Sequence, residues 1–274
     1  MSKSTNSFIY EGIELPIEVK KKWGYKTYKV GDRRLGFRSK WRRNVIRHDM
    51  ARLSSMAKSK KSDTCIIVGN GPSLNEINLD LLEGHDVIIS NNAFESDELL
   101  SRASYFTVVN YLVAEQSSAS ISALRKVTKV FPLWLSYCLL ADADTCLVET
   151  DSRAKFYSRA WRFSCRHTVS YFNLHLAWHL GFKKVVLVGF DHKYTQPKGT
   201  KEGDIIFSED EDPNHFFGSY FRGKQWQGAN VERMEEMYRL AYAIFQVNGR
   251  EVVNATVGGD LEVFPRQALS EALN

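Results

Sequence analysis

The stretch from Cys65 to Leu74 constrains the fold of this chain more than any other. It reads Cys-Ile-Ile-Val-Gly-Asn-Gly-Pro-Ser-Leu, so a short apolar, β-branched run passes directly into a glycine-rich turn. Between residues 75 and 82 apolar residues resume at helix-like spacing. A strand, a tight turn and a helix in this order predict the first βα unit of a nucleotide-binding domain.

The glycine turn supplies candidate contacts to a nucleotide. Gly69 and Gly71 permit a close backbone approach, and Pro72 suits the first helical turn. Free N–H groups at a helix start can hold an anion, and Ser73 adds a hydroxyl donor. The motif is not a Walker loop, because no Gly-Lys-Ser/Thr follows, and Leu74 stands where the dinucleotide fingerprint has its third glycine. A plain βα turn is therefore the alternative interpretation.

Two further predicted strands end in asparagine. Asn91 follows the apolar run that begins at Asp86, and Asn110 ends the run that begins at Tyr105. Ligands of open parallel sheets bind beyond the carboxyl ends of the strands, so both asparagines are expected in the crevice of the glycine turn. Asparagine is also a common strand terminator through its turn propensity, which is the alternative for either residue alone.

The rest of the chain predicts the same fold class. Strand-like runs at 184–190 and 251–256 alternate with helical patterns at 170–181 and 230–247. We predict an α/β, Rossmann-like domain over residues 62–274, with a mostly parallel sheet and helices on both faces. The strand at 184–190 ends at Asp191 and His192, on the predicted ligand side.

The first 61 residues differ from this domain in charge. Residues 20–61 hold 16 Lys/Arg against two acids, a net charge of +14, whereas residues 62–274 carry −7. Apolar residues recur at helical spacing among arginines from 40 to 57, which predicts a basic amphipathic helix in an N-terminal arm. Such an arm can contact an anionic membrane surface; nucleic acid is the less favoured partner, and a solvated surface helix is the plain alternative.

Cysteine usage and hydropathy indicate the compartment. The four cysteines are scattered without a CxxC spacing, so neither a zinc site nor a disulfide framework is predicted. The N-terminus has no apolar signal core, and no run approaches the roughly 20 apolar residues that span a bilayer. We expect a cytoplasmic protein, peripheral to the membrane if the arm binds there. Oligomeric state is left open.

Histidines offer candidates for a base or a metal ligand. His175 and His179 lie four apart on a predicted helix, but no HExxH pattern accompanies them, so two helix-surface or packed histidines are expected and metal ligands stay unknown. His215 lies in a long loop, 196–228, rich in acids and aromatics. Loops of that length without secondary structure are usually functional or disordered, and the aromatics argue against disorder.

The glycine turn from Gly69 to Leu74, the two strand-end asparagines, the pair of elements leading to Gly189-Phe190-Asp191 and the histidine loop occur together in one order. In this the chain resembles the bacterial sialyltransferases of glycosyltransferase family 42 and the related domain-of-unknown-function 115 proteins, which include 6-hydroxymethylpterin diphosphokinase MptE-like enzymes. The resemblance covers roughly residues 64–257. It implies that the CMP part of a donor is bound by Gly69, Asn70, Gly71, Ser73, Asn91 and Asn110.

The resemblance also implies a catalytic histidine, and here the sequence departs from the family. The family has His-x-x-Gly-His with the second histidine as base, whereas His215-Phe216-Phe217-Gly218 is followed here by Ser219. Serine cannot replace imidazole as a base near neutral pH. Either His215 or His192 takes that role, or the reaction differs; we favour His215.

Three functions follow as hypotheses. The first is a glycosyltransferase that moves a sugar from a nucleotide-activated donor, CMP-type by resemblance, to a surface glycan. The second is an MptE-like pyrophosphokinase that transfers diphosphate from ATP with Mg²⁺, for which Asp191 is the first candidate ligand. The third is a non-catalytic protein that binds glycan or nucleic acid through the basic arm.

Overall fold

The computed structural model of this chain describes residues 6–10, 13–22, 25–30, 40–151, 156, 162–201, 203–209 and 211–274. The strands are β1 (Asn6–Tyr10), β2 (Ile13–Lys22), β3 (Tyr25–Val30), β4 (Thr64–Val68), β5 (Asp86–Ser90), β6 (Tyr105–Thr107), β7 (Thr128–Pro132), β8 (Thr145–Asp151), β9 (Arg162–Ser164), β10 (Lys184–Val188), β11 (Ile205–Ser208), β12 (Lys224–Gln227) and β13 (Glu251–Asn254). The α-helices are α1 (Lys40–Met56), α2 (Asp97–Arg102), α3 (Tyr111–Gln116), α4 (Ser118–Ala123), α5 (Val169–His179), α6 (Val231–Val247) and α7 (Leu269–Ala272).

Eight strands form one sheet in the order β13-β10-β4-β5-β6-β7-β8-β9. Every neighbouring pair in it is parallel. The chain runs outward from β4 to β9 and then returns to place β10 on the other side of β4. This reversal puts the topological switch point between β4 and β10, which is where open α/β sheets bind ligands. The predicted α/β, Rossmann-like fold is confirmed.

The strands are buried on both faces, as expected for a parallel sheet. In β4, Ile66 and Val68 join the core on one face, and Cys65 and Ile67 join the core on the other. Helices α2, α3, α4 and α7 contribute side chains to the first core, and α5 and α6 to the second. The prediction of helices on both faces is therefore also confirmed.

The basic amphipathic helix predicted from 40 to 57 is α1. Its residues Val45 and Ile46 are buried in the first core and Leu53 in the second, and the carboxylate of Asp49 accepts the backbone N–H of Leu147 at 2.8 Å. Helix α1 is thus packed on the sheet, although it lies before residue 61. The domain boundary at residue 61 and the membrane contact of the arm stay predictions.

The described residues before α1 form a small sheet of three strands. Strands β1, β2 and β3 pair antiparallel in that order. Within the described ranges, every helix is too short or too polar to cross a membrane.

The prediction of a helix directly after the glycine turn is wrong. The segment forms two 3₁₀ turns, Pro72–Glu76 and Leu79–Leu82, separated by an extended Ile77 with φ −104° and ψ 148°. The side chain of Asn78 accepts the N–H of Asp80 and starts the second turn. Because Asn bonds its local backbone so readily, it competes with a continuous helix despite the apolar spacing.

Candidate functional site

A cavity of about 410 Å³ lies at the carboxyl end of the main sheet, at the switch point between β4 and β10. Its walls come from the glycine turn after β4, the turn after β10, the start of α5 and the β11–β12 hairpin. Among the residues predicted for the site, Gly69, Asn70, Gly71, Asn91, Asn110, Asp191, His192 and His215 line it. Pro72 is exposed beside the turn, and Ser73 is buried beneath it.

The glycine turn packs directly on the turn that follows β10. The N–H of Gly69 donates to Val188 O at 2.8 Å, and the N–H of Gly71 donates to Gly189 O at 3.0 Å. A Cβ on Gly69 would lie 2.2 Å from Gly189 O, and one on Gly71 would lie 1.8 Å from an oxygen of the Asp191 carboxylate. These glycines are required by close packing against the turn after β10, and the N–H groups of Gly69 and Gly71 already have protein acceptors.

The carboxylate of Asp191 fills the space inside the glycine turn. One oxygen accepts the backbone N–H of Ser73 at 3.2 Å, and the other accepts the Ser73 hydroxyl at 2.7 Å. The hydroxyl that was expected to reach a donor phosphate is therefore paired with a protein carboxylate.

The asparagine of the glycine turn and the two strand-end asparagines differ in the hydrogen bonds of their side chains. The Oδ1 atoms of Asn70 and Asn91 are buried without a hydrogen-bond partner, while Asn70 Nδ2 reaches Ser90 O at 3.4 Å. Asn110 Oδ1 instead accepts the N–H of Leu112 at 2.9 Å and caps α3. An unpaired buried amide oxygen is costly, so Asn70 and Asn91 are the stronger candidates for ligand contacts.

Left-handed backbone is concentrated at this cavity. Four non-glycine residues in the described chain have positive φ, and three of them, Asn91 (54°), His167 (63°) and His192 (56°), line the cavity. The fourth is the exposed Lys126. Such conformations carry a cost and gather at ligand sites, where the surrounding structure holds them in place.

His215 forms a pair with Asp212. Its Nδ1 lies 2.7 Å from an Asp212 oxygen, and the side chain of Asp212 is 5 % exposed. The imidazole stacks on Tyr220 with ring centroids 3.9 Å apart and planes inclined by 6°. With Nδ1–H donated to the carboxylate, Nε2 keeps its lone pair, which is the arrangement of an oriented general base.

The loop that carries His215 is attached to the glycine turn. The N–H of Phe216 donates to Asn70 O at 2.9 Å, and Asn75 Nδ2 donates to Phe216 O at 2.8 Å. On its other side Asn214 exchanges two hydrogen bonds with the backbone of Thr195. The position of the imidazole therefore depends on the glycine turn.

His192 is the other histidine predicted as a base. It is 8 % exposed, and its Nε2 lies 3.4 Å from Glu235 Oε1 without hydrogen-bond geometry. Burial lowers the pKa of His192 and the Glu235 carboxylate opposes this, with burial the larger effect. Both histidines line the cavity, but only His215 is held by a carboxylate in hydrogen-bond geometry.

Sequence reasoning missed several residues of the site. Asp212 is one of four consecutive acidic residues, Glu209 to Asp212, and was not singled out. Its spacing of three residues from His215 was the signal that could have identified it. The start of α5, at Thr168 to Ser170, and Trp226 also line the cavity. Their positions at the cavity depend on the order of the strands in the sheet, which cannot be derived from the local sequence pattern.

The described part of the chain contains no preformed cluster of metal ligands. Within it, no three His, Cys, Asp or Glu side chains come close enough together to hold a metal ion. The histidine pair on α5 is packed: His175 is fully buried, its ring centroid lies 4.6 Å from that of Phe163, and its Nδ1 accepts the N–H of Ser164. Burial lowers the pKa of His175 to about 3 and of His179 to about 4, so both rings are neutral.

Comparison with known proteins yields one distant likeness. No protein-family model and no curated protein matches this chain. Among solved structures, the MAf glycosyltransferase from Magnetospirillum magneticum AMB-1 is similar, with 13% sequence identity and a TM-score of 0.47. The match covers 82% of this chain and 39% of that one. A likeness of this size does not bear on function.

Proposed function

We propose that the cavity is the active site of a glycosyltransferase that moves a sugar from a nucleotide-activated donor to a hydroxyl group. The observation that carries the proposal is the His215–Asp212 pair at the cavity wall. A carboxylate that holds Nδ1–H leaves Nε2 free to accept a proton from an acceptor hydroxyl.

In the proposed reaction the acceptor oxygen attacks the anomeric carbon of the donor sugar. Its proton passes to His215 Nε2, the bond between the anomeric carbon and the phosphate oxygen breaks, and the nucleotide leaves with that oxygen. The first residues of α5, Thr168 to Ser170, line the same cavity, and the positive end of a helix dipole stabilises a leaving phosphate.

The proposed donor is a cytidine nucleotide sugar, by the family resemblance of the sequence. The unpaired amide oxygens of Asn70 and Asn91 are acceptors that the exocyclic amine of cytosine or a ribose hydroxyl can satisfy. The proposed acceptor is a glycan hydroxyl. The pyrophosphokinase alternative needs carboxylates around Mg²⁺, and no specific observation in the described residues favours it.

A thermal-shift panel tests this proposal. It compares CMP, UDP, GDP and ATP, each with and without Mg²⁺, because a ligand at 100 times its dissociation constant adds about 2.7 kcal/mol to stability. A metal-independent shift with CMP is expected. A shift only with ATP and Mg²⁺ would support the kinase, and no shift with any nucleotide would contradict both enzymes.

One variant makes the panel specific to the base. Addition of CMP should stabilise His215→Ala as much as the wild-type protein, whereas release of CMP from CMP-sialic acid should fall. Equal loss of binding and turnover would place His215 in donor binding instead of proton transfer.

A further inference from the structure

Four hydrogen-bond donors of the glycine turn have acceptors at the end of β10 or in the turn that follows it. The N–H groups of Gly69 and Gly71 donate to the carbonyls of Val188 and Gly189, and Ser73 donates twice to Asp191. A phosphate at this position would have to displace a carboxylate of the same sign of charge.

Asp191 is itself fixed on its backbone side. The N–H of Asp260 donates to Asp191 O at 2.8 Å, and a Cβ on Gly259 would lie 2.8 Å from that oxygen. From the glycine turn, the side chain of Leu74 packs against Gly189. A Cβ on Gly189 would lie 2.6 Å from that side chain, so only glycine fits there. The two turns therefore fit together with little freedom to move apart.

The far side of the glycine turn holds the base loop. Asn70 O accepts the N–H of Phe216, and Asn75 donates to Phe216 O, at the residue that follows His215. A continuous chain of contacts thus runs from Asp191 through Ser73 and the glycine turn to His215.

We propose that the glycine turn is the anchor of the base loop and not a phosphate cradle, and that Asp191 is the positioning residue that locks this anchor. Asp191 acts through Ser73 and does not touch the reacting atoms. The role of His215 as base rests on the proposed function, whereas the anchoring of its loop does not.

Amide hydrogen exchange of the Phe216 N–H, followed by NMR, measures the anchor directly. In Asp191→Ala this exchange should become about tenfold faster or more, because the loss of two hydrogen bonds frees the turn. In Asp191→Asn it should stay within about threefold of wild type, since the amide can accept from Ser73 N–H and donate to Ser73 Oγ. Unchanged exchange in Asp191→Ala would overturn the proposal.

The matched control is Asp260→Asn. Asp260 is exposed and contacts Asp191 through its backbone N–H, which the substitution leaves in place. Exchange at Phe216 should therefore match wild type, and an increase equal to that of Asp191→Ala would overturn the assignment to Asp191. If Asp191→Ala does not fold, Ser73→Ala takes its place, with a several-fold increase expected and no increase contradicting the anchor.

Calorimetry with CMP separates the anchor from a phosphate cradle. In Ser73→Ala the dissociation constant for CMP should change by less than about threefold, because the hydroxyl serves Asp191. A loss of about tenfold or more with normal exchange at Phe216 would make the turn a phosphate site and overturn the proposal. If wild-type protein does not bind CMP, the proposed function fails while the exchange measurement still decides the anchor.

Discussion

The two ends of the main sheet differ in the polar residues that they bury. At the amino end charges are paired: the fully buried Lys129 lies 2.6 Å from Asp142, and Lys183 lies 2.7 Å from Asp63. At the carboxyl end, buried amide oxygens of Asn70 and Asn91 have no partner beside an open cavity. The amino end is built for stability, and the carboxyl end keeps polar groups available to a ligand.

The difference extends to the histidines. His85, at the amino end, is within 3.2 Å of the Ser62 hydroxyl, whereas His215, at the carboxyl end, is oriented by a buried carboxylate and lines the cavity. Equivalent substitutions at the two ends should therefore have different consequences for activity, binding and stability.

The largest expected effect is on turnover. His215→Ala should reduce the release of CMP from CMP-sialic acid by about 10² to 10⁴, because the proton acceptor is lost, with little change in donor affinity. His85→Ala at the other end should leave turnover near wild type. The assignment reverses if His192→Ala shows this loss and His215→Ala stays near wild type.

The next effect is on stability at the amino end. Asp142→Ala removes the charged partner of the buried Lys129, which then keeps its hydrogen bond to Leu124 O. The free energy of unfolding, from urea titration, should fall by about 3 kcal/mol. Arg125→Ala, which removes an exposed partner of the same aspartate, should cost less than about 1 kcal/mol. Equal losses would refute the buried pair as the cause.

A smaller effect, on CMP affinity, should distinguish two residues that have the same left-handed backbone conformation. Asn91→Gly keeps the left-handed backbone but removes the unpaired amide, so CMP affinity measured by calorimetry should fall about tenfold. Lys126→Gly makes the same backbone change at an exposed position of the amino end and should leave affinity unchanged. Similar affinities for both variants would mean that the Asn91 amide does not contact the nucleotide.

A separate effect is a pH dependence of stability, which comes from the buried histidines of α5. The folded pKa of His175, about 3, and that of His179, about 4, lie below the usual value of 6.5. The unfolded state thus binds more protons below about pH 6.5, and stability is lost as pH falls from there toward pH 4. Each ring should contribute about 1 kcal/mol per pH unit. Urea unfolding at several pH values should show a shallower slope for His175→Gln, and an equal slope would contradict neutral burial.

The fold class and part of the candidate site could be predicted from the sequence. Apolar runs identified β4, β5, β6, β10 and β13, because strands buried on both faces are continuous in their hydrophobicity. Strand β8 was missed because its second half, Glu149 to Asp151, is polar and resembles a loop.

The function of the glycine turn was not readable from the sequence. Gly69 and Gly71 look the same whether a phosphate or another turn approaches them, and only the structure shows Gly189 and Asp191 in that space. Likewise, Asn110 matches Asn91 in the sequence, but it caps a helix while Asn91 leaves its oxygen unpaired. What decides these roles is tertiary proximity, which local pattern does not encode.

Hydrogen–deuterium exchange with and without CMP tests most directly whether the carboxyl end of the sheet is the ligand site. We expect CMP to slow exchange in the segments around residues 69–71, 90–91 and 165–170, which adjoin the cavity. Exchange around residues 126–129 and 183–184, at the amino end, should stay unchanged. Protection confined to the amino end, or no protection at saturating CMP, would contradict the assignment of the site.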